Sequence, residues 1–135
     1  MAAPEVLGFS HVSLSVADLE ASLGFYRDVL GLSVLVEPFE GTAFDGGEAM
    51  VLAGRSALCL QHHRTNAGAA FDPSQTGLDH LALRVSSIDE LHAFAAHLDA
   101  VGVDHSGVKP LPGFGHFIEV RDPDGILVEL HALPT

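Results

Sequence analysis

The chain has 135 residues, of which 47% are hydrophobic, and this is enough material for one compact domain with a buried core. Its 18 acidic residues against 6 basic ones give a formal net charge of -12, which repels nucleic-acid phosphates and anionic membrane surfaces. No apolar run reaches the length of a membrane span, the first residues lack the pattern of a signal peptide, and the lone Cys59 has no partner for an internal disulfide, so we expect a cytoplasmic protein.

The sequence contains two copies of one pattern. Gly8–Val16 reads GFSHVSLSV and Gly77–Val85 reads GLDHLALRV, so that His11 and His80 occupy equivalent positions 69 residues apart. Each segment is followed by a helical pattern that ends at a glycine. Internal similarity of this kind indicates a duplicated structural unit.

The duplicated unit has the pattern of a β-α-β-β-β module. Residues 55–62 match residues 125–132 as the closing strands of the two copies. We therefore predict a first module over 5–62 and a second over 77–132, joined by a polar connector of small residues over 63–76.

Both helices have recognisable start and stop signals. In the first, Asp18 is a candidate N-cap and Gly31 a stop; in the second, Ser87 and Glu90 fit a capping box and Gly102 a stop. The apolar stripes consist of Leu19, Leu23, Tyr26 and Leu30 in the first helix and of Ile88, Leu91, Phe94, Leu98 and Val101 in the second.

The remaining strands are predicted from short apolar alternations. They fall near 32–37, 48–53, 103–106 and 114–121. Turns are predicted at Asp45-Gly46-Gly47 and at Asp122-Pro123-Asp124-Gly125.

The polar side chains of the strands share one face in each module, because successive residues of a strand point to opposite sides. The alternate, apolar residues of each strand face the helix of its module. The opposite faces have His11, Ser13 and Ser15 on the first strand, Cys59 and Gln61 on the fourth, His80, Ala82 and Arg84 on the fifth, and Leu127, Glu129 and His131 on the last. Two such sheets are expected to curve around a polar cavity.

Three of these residues form a candidate metal-ligand set: His11, His80 and Glu129. Two imidazoles and one carboxylate suit Fe, Mn, Ni, Co or Zn and leave coordination positions open for substrate. The alternative is that the histidines are satisfied core residues and the glutamate is solvated. The matched histidines of the two copies, and an acid among apolar strand residues, favour the metal site.

These motifs resemble the vicinal oxygen chelate superfamily, which includes glyoxalases, bleomycin-binding proteins, fosfomycin-modifying enzymes, methylmalonyl-CoA epimerases and extradiol dioxygenases. The resemblance covers nearly the whole chain and also includes the ending FIEVRDPDGILVELHA. It implies an α+β fold in which two β-α-β-β-β modules form a curved mixed sheet around a cavity, within one domain over 1–135. It also implies a homodimer and a divalent metal bound by His11, His80 and Glu129.

The chain departs from two members of that superfamily at positions near the predicted metal. Where glyoxalases have a glutamate as fourth ligand, this sequence has Cys59, with Gln61 two residues later. Cys59 is either a soft ligand or an inert buried thiol, and Gln61 either binds metal or substrate or is structural. Where extradiol dioxygenases have a tyrosine, this sequence has Glu119, which makes ring cleavage the second choice.

Catalytic proton transfer needs a base close to the bound substrate. The candidates are Glu119, His116, His131 and Gln61. Glu119 and His116 lie on opposite faces of one strand, so at most one of them points into the cavity, and Glu119 is preferred. A salt bridge from Glu119 to Arg84 or Arg121 is the alternative reading.

Other residues are candidates for contact with substrate or for support of the metal. Arg84 is placed to bind a substrate carboxylate or to form an ion pair, and His131 is placed to support the ligands. The residues expected to line the substrate cavity are Ser13, Cys59, Arg84 and Phe114.

The sequence thus predicts a metal-dependent enzyme that chelates vicinal oxygens of a small metabolite and catalyses Lewis-acid-assisted proton transfer of the lyase or isomerase type. The first alternative is an Fe(II) extradiol-type dioxygenase with the same ligands. The second is a non-catalytic protein that binds a small molecule such as an antibiotic. The expected partners are a small-molecule substrate and a second copy of the chain, without nucleic acid or membrane.

Overall fold

The computed structural model describes residues 2–40 and 46–135 and shows a β-α-β-β-β order twice along the chain. The strands are β1 (His11–Ser15), β2 (Ser33–Glu40), β3 (Gly46–Ala53), β4 (Ser56–His63), β5 (Leu81–Val85), β6 (Lys109–Leu111), β7 (Gly115–Arg121) and β8 (Leu127–Ala132). The helices are α1 (Leu19–Gly24), which continues as a π-helical segment (Phe25–Val29), and α2 (Ile88–Ala100). The predicted α+β class is confirmed.

The chain divides after Asn66 into two compact units, each built on one four-stranded mixed sheet. The strand order is β1-β4-β3-β2 in the amino-terminal unit and β5-β8-β7-β6 in the carboxy-terminal unit. In both, the first strand of the unit pairs in parallel with the last, and the other pairs are antiparallel.

The first helix begins as predicted but is not regular. The carboxylate of Asp18 accepts a hydrogen bond from the backbone N–H of Ala21 at 3.0 Å. The π-helical segment then rotates the chain so that the adjacent rings of Phe25 and Tyr26 are both buried, edge to face, with centroids 5.1 Å apart. The predicted stop at Gly31 is confirmed, because this glycine has a φ of +74° directly after the helical segment, but the second half of the helix is π-helical.

The second helix matches its predicted start and stop. The hydroxyl of Ser87 accepts a hydrogen bond from the Glu90 N–H at 3.2 Å, and Gly102 has a φ of +73° directly after the helix. Leu91 and Leu98 are fully buried, whereas the outer members of the predicted stripe, Ile88 and Val101, are exposed. Among the described residues, no helix has the length and apolar character needed to cross a bilayer.

The predicted strand at 103–106 is wrong, because this segment forms only one isolated β-bridge, between His105 and Val120. The hydroxyl of Ser106 accepts the Glu119 N–H at 2.9 Å and so replaces the carbonyl that a neighbouring strand would offer. The strand that pairs with β7 is instead β6.

One predicted turn is confirmed and the other is wrong where the structure describes it. The carboxylate of Asp122 accepts two backbone N–H groups within the second turn, each at 2.9 Å, and Gly125 has a φ of +82°. Gly46 and Gly47 lie inside β3 rather than in a turn. Asp45 lies outside the described residues.

Candidate functional site

The carboxy-terminal sheet has one covered face and one open face. Helix α2 contacts β7 and β8 on the face where Ile118, Val120, Val128 and Leu130 are buried. The opposite side, called the open face below, follows from the strand registers. It has Ala82 and Arg84 on β5, Leu127, Glu129 and His131 on β8, and Phe117, Glu119 and Arg121 on β7.

His80 and Glu129 approach each other at this face. The Nε2 atom of His80, just before β5, lies 3.7 Å from Oε2 of Glu129, and its Nδ1 atom lies 2.7 Å from Oδ1 of Asp79. The side chain of Glu129 is only 15% exposed and that of His80 39%. Because Asp79 accepts the Nδ1–H of a neutral ring, this hydrogen bond assigns the lone pair of that ring to Nε2, on the side of Glu129.

This pair has the chemistry of a cation site. When the imidazole is neutral, the two atoms that face each other, Nε2 and Oε2, are both acceptors, and their separation is too long for a hydrogen bond. Their interaction is favourable only when a proton or a metal ion lies between them. Two ligands that are each about 2.1 Å from an ion lie roughly 3 to 3.5 Å apart, so small adjustments suffice to bind one. A carboxylate on the second ring nitrogen, here Asp79, is the usual support of a metal-binding histidine.

Glu119 lies directly opposite Glu129 on the neighbouring strand. Oε2 of Glu119 is 3.5 Å from Nζ of Lys109, whereas Arg121 donates to the carbonyl of Gly125 at 3.1 Å. The ion-pair partner of Glu119 is therefore Lys109, and not Arg84 or Arg121 as in the alternative that the sequence left open. Two facing carboxylates repel each other, and this repulsion adds to the attraction of the open face for a cation.

His131 and Phe114 form a ring pair beside this site. The Phe114 ring lies on the His131 ring with centroids 4.8 Å apart, and Nε2 of His131 donates to the Phe114 carbonyl at 2.7 Å. His131 is buried, while Phe114 is 55% exposed. His116 lies on the face away from Glu119, so the structure does not bring it to the open face.

The other predicted site residues belong to the amino-terminal unit. His11 is exposed, and its Nδ1 atom is 3.0 Å from the Ser10 hydroxyl. Ser13 on β1 is the cross-strand neighbour of Cys59, which is buried between β1 and β3. Gln61 is buried and donates to the backbone carbonyl of Gly47 at 3.4 Å, a structural contact.

Across residues 2–40 and 46–135, no three His, Cys, Asp or Glu side chains form a complete metal cluster, so His80 and Glu129 are a pair of candidate ligands. Two residues of the site were missed in the sequence. Asp79 was visible as the acid directly before His80, whereas Lys109 depended on the position of β6, which the sequence did not predict.

Asp79 also sets the charge state of the histidine. Its hydrogen bond raises the pKa of His80 above the ordinary 6.5; partial burial opposes this rise, and the negative charge of Glu129 adds to it. Because the folded-state pKa is raised, protonated His80 stabilises the fold fully below the unfolded-state pKa. That stabilisation is lost as the pH rises through the folded-state pKa.

We expect the Asp79→Asn substitution to lower the pKa of His80 in metal-free protein, because the main cause of its rise is removed. NMR titration of the ring protons measures this directly. The matched control is Asp99→Asn, which removes the carboxylate partner of His105 instead and should leave His80 unchanged. An unaltered His80 titration in Asp79→Asn would contradict the assigned role of Asp79.

The repeated β-α-β-β-β order and the two mixed four-stranded sheets define an α+β protein built from two similar modules. The sequence model of the Glyoxalase/Bleomycin resistance protein/Dioxygenase superfamily matches residues 8–130, and the chain belongs to this superfamily.

Similar proteins within the superfamily differ in activity. The crystal structure of a glyoxylase/bleomycin resistance protein/dioxygenase domain from Frankia sp. EAN1pec superposes with a TM-score of 0.85 at 31% identity, covering 96% of this chain and 100% of that one. A probable lactoylglutathione lyase from Vibrio cholerae is 29% identical over 89% of this chain and 86% of its own length. A manganese-dependent 2,3-dihydroxybiphenyl 1,2-dioxygenase from Geobacillus genomosp. 3 is 26% identical over 94% of this chain, which spans only 37% of that enzyme.

Proposed function

We propose that the protein is a divalent-metal-dependent enzyme that binds vicinal oxygens of a small metabolite and transfers a proton next to them, in a reaction of the lyase or isomerase type. The observation that carries this proposal is the facing pair of His80 Nε2 and Glu129 Oε2, 3.7 Å apart, with the other ring nitrogen held by Asp79. Relatives named as lyases and dioxygenases support an enzymatic role.

The proposed ligands are His80, Glu129 and, as the repeat equivalent of His80, His11. This set suits Fe, Mn, Ni, Co or Zn. When bound, the metal supplies Lewis-acid polarisation of the substrate oxygens.

Glu119 is the proposed base. Its carboxylate is the cross-strand neighbour of Glu129, so it lies close to any substrate bound there, and its Oε2 atom is 3.5 Å from Nζ of Lys109. In this role it accepts a proton from the carbon next to the bound oxygens and returns it to the product. Gln61 and Cys59 are not needed for this step, because the Gln61 amide is hydrogen-bonded to the Gly47 carbonyl and the Cys59 thiol is buried.

Hydrogen exchange in D2O tests the proposal on protein purified without chelators and loaded with Mn(II), Ni(II) or Zn(II). We expect metal-dependent exchange of the C–H next to the carbonyl in α-hydroxy ketones, or isomerisation of the hemithioacetal of methylglyoxal and glutathione. Glu119→Gln should lower the rate by about 100-fold or more while the protein keeps its metal. Glu90→Gln, on the exposed start of α2, is the matched control. Exchange that needs no metal, or full activity of Glu119→Gln, would overturn the assignment.

A dioxygenase function is the second candidate, because the chain also matches enzymes named as manganese-dependent and iron-dependent dioxygenases. The same three ligands suit Fe(II). Oxygen consumption with catechols by the Fe(II)-loaded protein, together with ring-cleaved product, would replace the proton-transfer proposal. Tight binding of an antibiotic by a protein that retains no metal would instead indicate a binding protein.

The homodimer stays a prediction from the family resemblance, tested by sedimentation.

A further inference from the structure

The exposed side chain of Arg84 has no hydrogen-bond or ion-pair partner among the described residues, a property that it shares with Arg55. The chain has only 6 Lys and Arg residues against 18 acids, and most of those cations have a partner. Arg27 pairs with Asp28, and Lys109 pairs with Glu119. An exposed arginine without a carboxylate partner, in so acidic a protein, has its five N–H donors available for an external anion.

The position of Arg84 relates it to the proposed metal site. Along the open face, β5 has Ala82 beside Glu129 and then Arg84 beside His131. One such step along a strand is about 7 Å. Ala82 lies between His80 and Arg84 along the chain and is small and exposed, so a ligand that reaches both the metal pair and the guanidinium lies over Ala82.

The neighbour of Arg84 on this face is an ordered ring pair. His131 is held by its hydrogen bond to the Phe114 carbonyl, and the half-exposed Phe114 ring lies on it at 4.8 Å. A planar ligand group beside Arg84 can stack on this pair, and because the rings are already ordered, little conformational entropy is lost on binding.

We propose that the substrate is a planar, conjugated or aromatic, carboxylate. In this arrangement its chelating oxygens lie at His80 and Glu129, its planar part lies over Ala82 beside the Phe114–His131 pair, and its carboxylate binds the Arg84 guanidinium. This inference rests on the proposed metal site and adds the substrate class to it. A guanidinium and a carboxylate form paired N–H···O bonds, which distinguish an acid from its neutral amide.

Two matched chelators test the inference in Mn(II)-loaded protein under anaerobic conditions: 3,4-dihydroxybenzoate and 3,4-dihydroxybenzamide. Both offer the same vicinal oxygens and ring, and they differ in the charge of the opposite substituent. We expect calorimetry to show the acid binding roughly tenfold more tightly or better, against the repulsion of the -12 net charge. Arg84→Gln should reduce this ratio to about one. Arg55→Gln, which changes the exposed arginine at the turn between β3 and β4, should leave the ratio unchanged.

Phe114→Leu tests the proposed stacking. We expect it to weaken the binding of both compounds by a similar factor, without changing the ratio of their affinities. Equal binding of acid and amide by the unchanged protein, or a preference that survives Arg84→Gln, would overturn the substrate class while the metal site stands. Unaltered affinities in Phe114→Leu would overturn the stacking role. If the protein retains no Mn(II) and neither compound shows metal-dependent binding, the proposed metal site itself is wrong.

Discussion

His80→Ala and Glu129→Gln should each weaken divalent-metal binding by on the order of 100-fold or more, because loss of an outer-sphere partner alone typically costs 10- to 100-fold. Glu129→Gln keeps the volume of the side chain and removes its charge, so its effect isolates the carboxylate as ligand. The measurements are metal content by plasma emission spectrometry after purification without chelators and affinity by calorimetry with Mn(II) and Zn(II).

The pattern across related variants makes this prediction specific. The metal affinity of Asp79→Asn should lie between that of the ligand variants and that of the unchanged protein, because this substitution loosens the His80 ring without removing a ligand. His11→Ala tests the third ligand that the repeat predicts. His92→Ala, on the exposed side of α2, is the control and should retain metal.

The ligand variants should stay folded, since the His80 side chain is well exposed and neither residue belongs to the apolar core. Thermal unfolding of each variant checks this point. Metal retained at full stoichiometry and affinity in both His80→Ala and Glu129→Gln would contradict the metal site, whatever the activity of the protein.

The faces of the strands could be predicted because a strand has a strict period of two. Glu129 and Arg84 were placed on the side away from the helix from the sequence alone, and the registers with β5 and β7 put them there. Helix caps were predictable for a similar reason. The hydrogen bonds of Asp18 and Ser87 join residues three positions apart, so they depend on local sequence only.

Features that depend on contacts distant in sequence could not be predicted. The π-helical segment exists because burial of both Phe25 and Tyr26 outweighs a regular helical ladder, and the 3.6-residue period contains no sign of this. The segment 103–106 has an apolar alternation, yet the Ser106 hydroxyl takes the place of a strand carbonyl opposite Glu119. The second strand of the unit in chain order is therefore β6, at Lys109–Leu111.

The same limit explains what the sequence missed at the site. Lys109 lies on β6, so its ion pair with Glu119 could not be anticipated while the strand was placed at 103–106. The contact of His80 with Asp79 is local and could have been found, because an acid next to a predicted metal-binding histidine is a natural partner for its second nitrogen.

Gly115→Ala should lower the free energy of unfolding by about 3 kcal/mol or more, through two additive causes. Gly115 has a φ of +100°, which a residue with a side chain rarely adopts. A Cβ at this position would also stand 1.9 Å from the backbone carbonyl oxygen of Ala132 at the end of β8, and backbone cannot move aside as a flexible side chain does.

Gly113 provides the matched control, because it has a φ of +79° in the same hairpin but open space around the added Cβ. Gly113→Ala should therefore cost only about 1 kcal/mol, for the backbone conformation alone. Chemical denaturation of both variants measures the difference, and equal losses would show that the close approach of Gly115 to β8 is unimportant. Since β8 also has Glu129 and His131, we expect any displacement of that strand in Gly115→Ala to weaken metal binding as well, whereas Gly113→Ala should leave it intact.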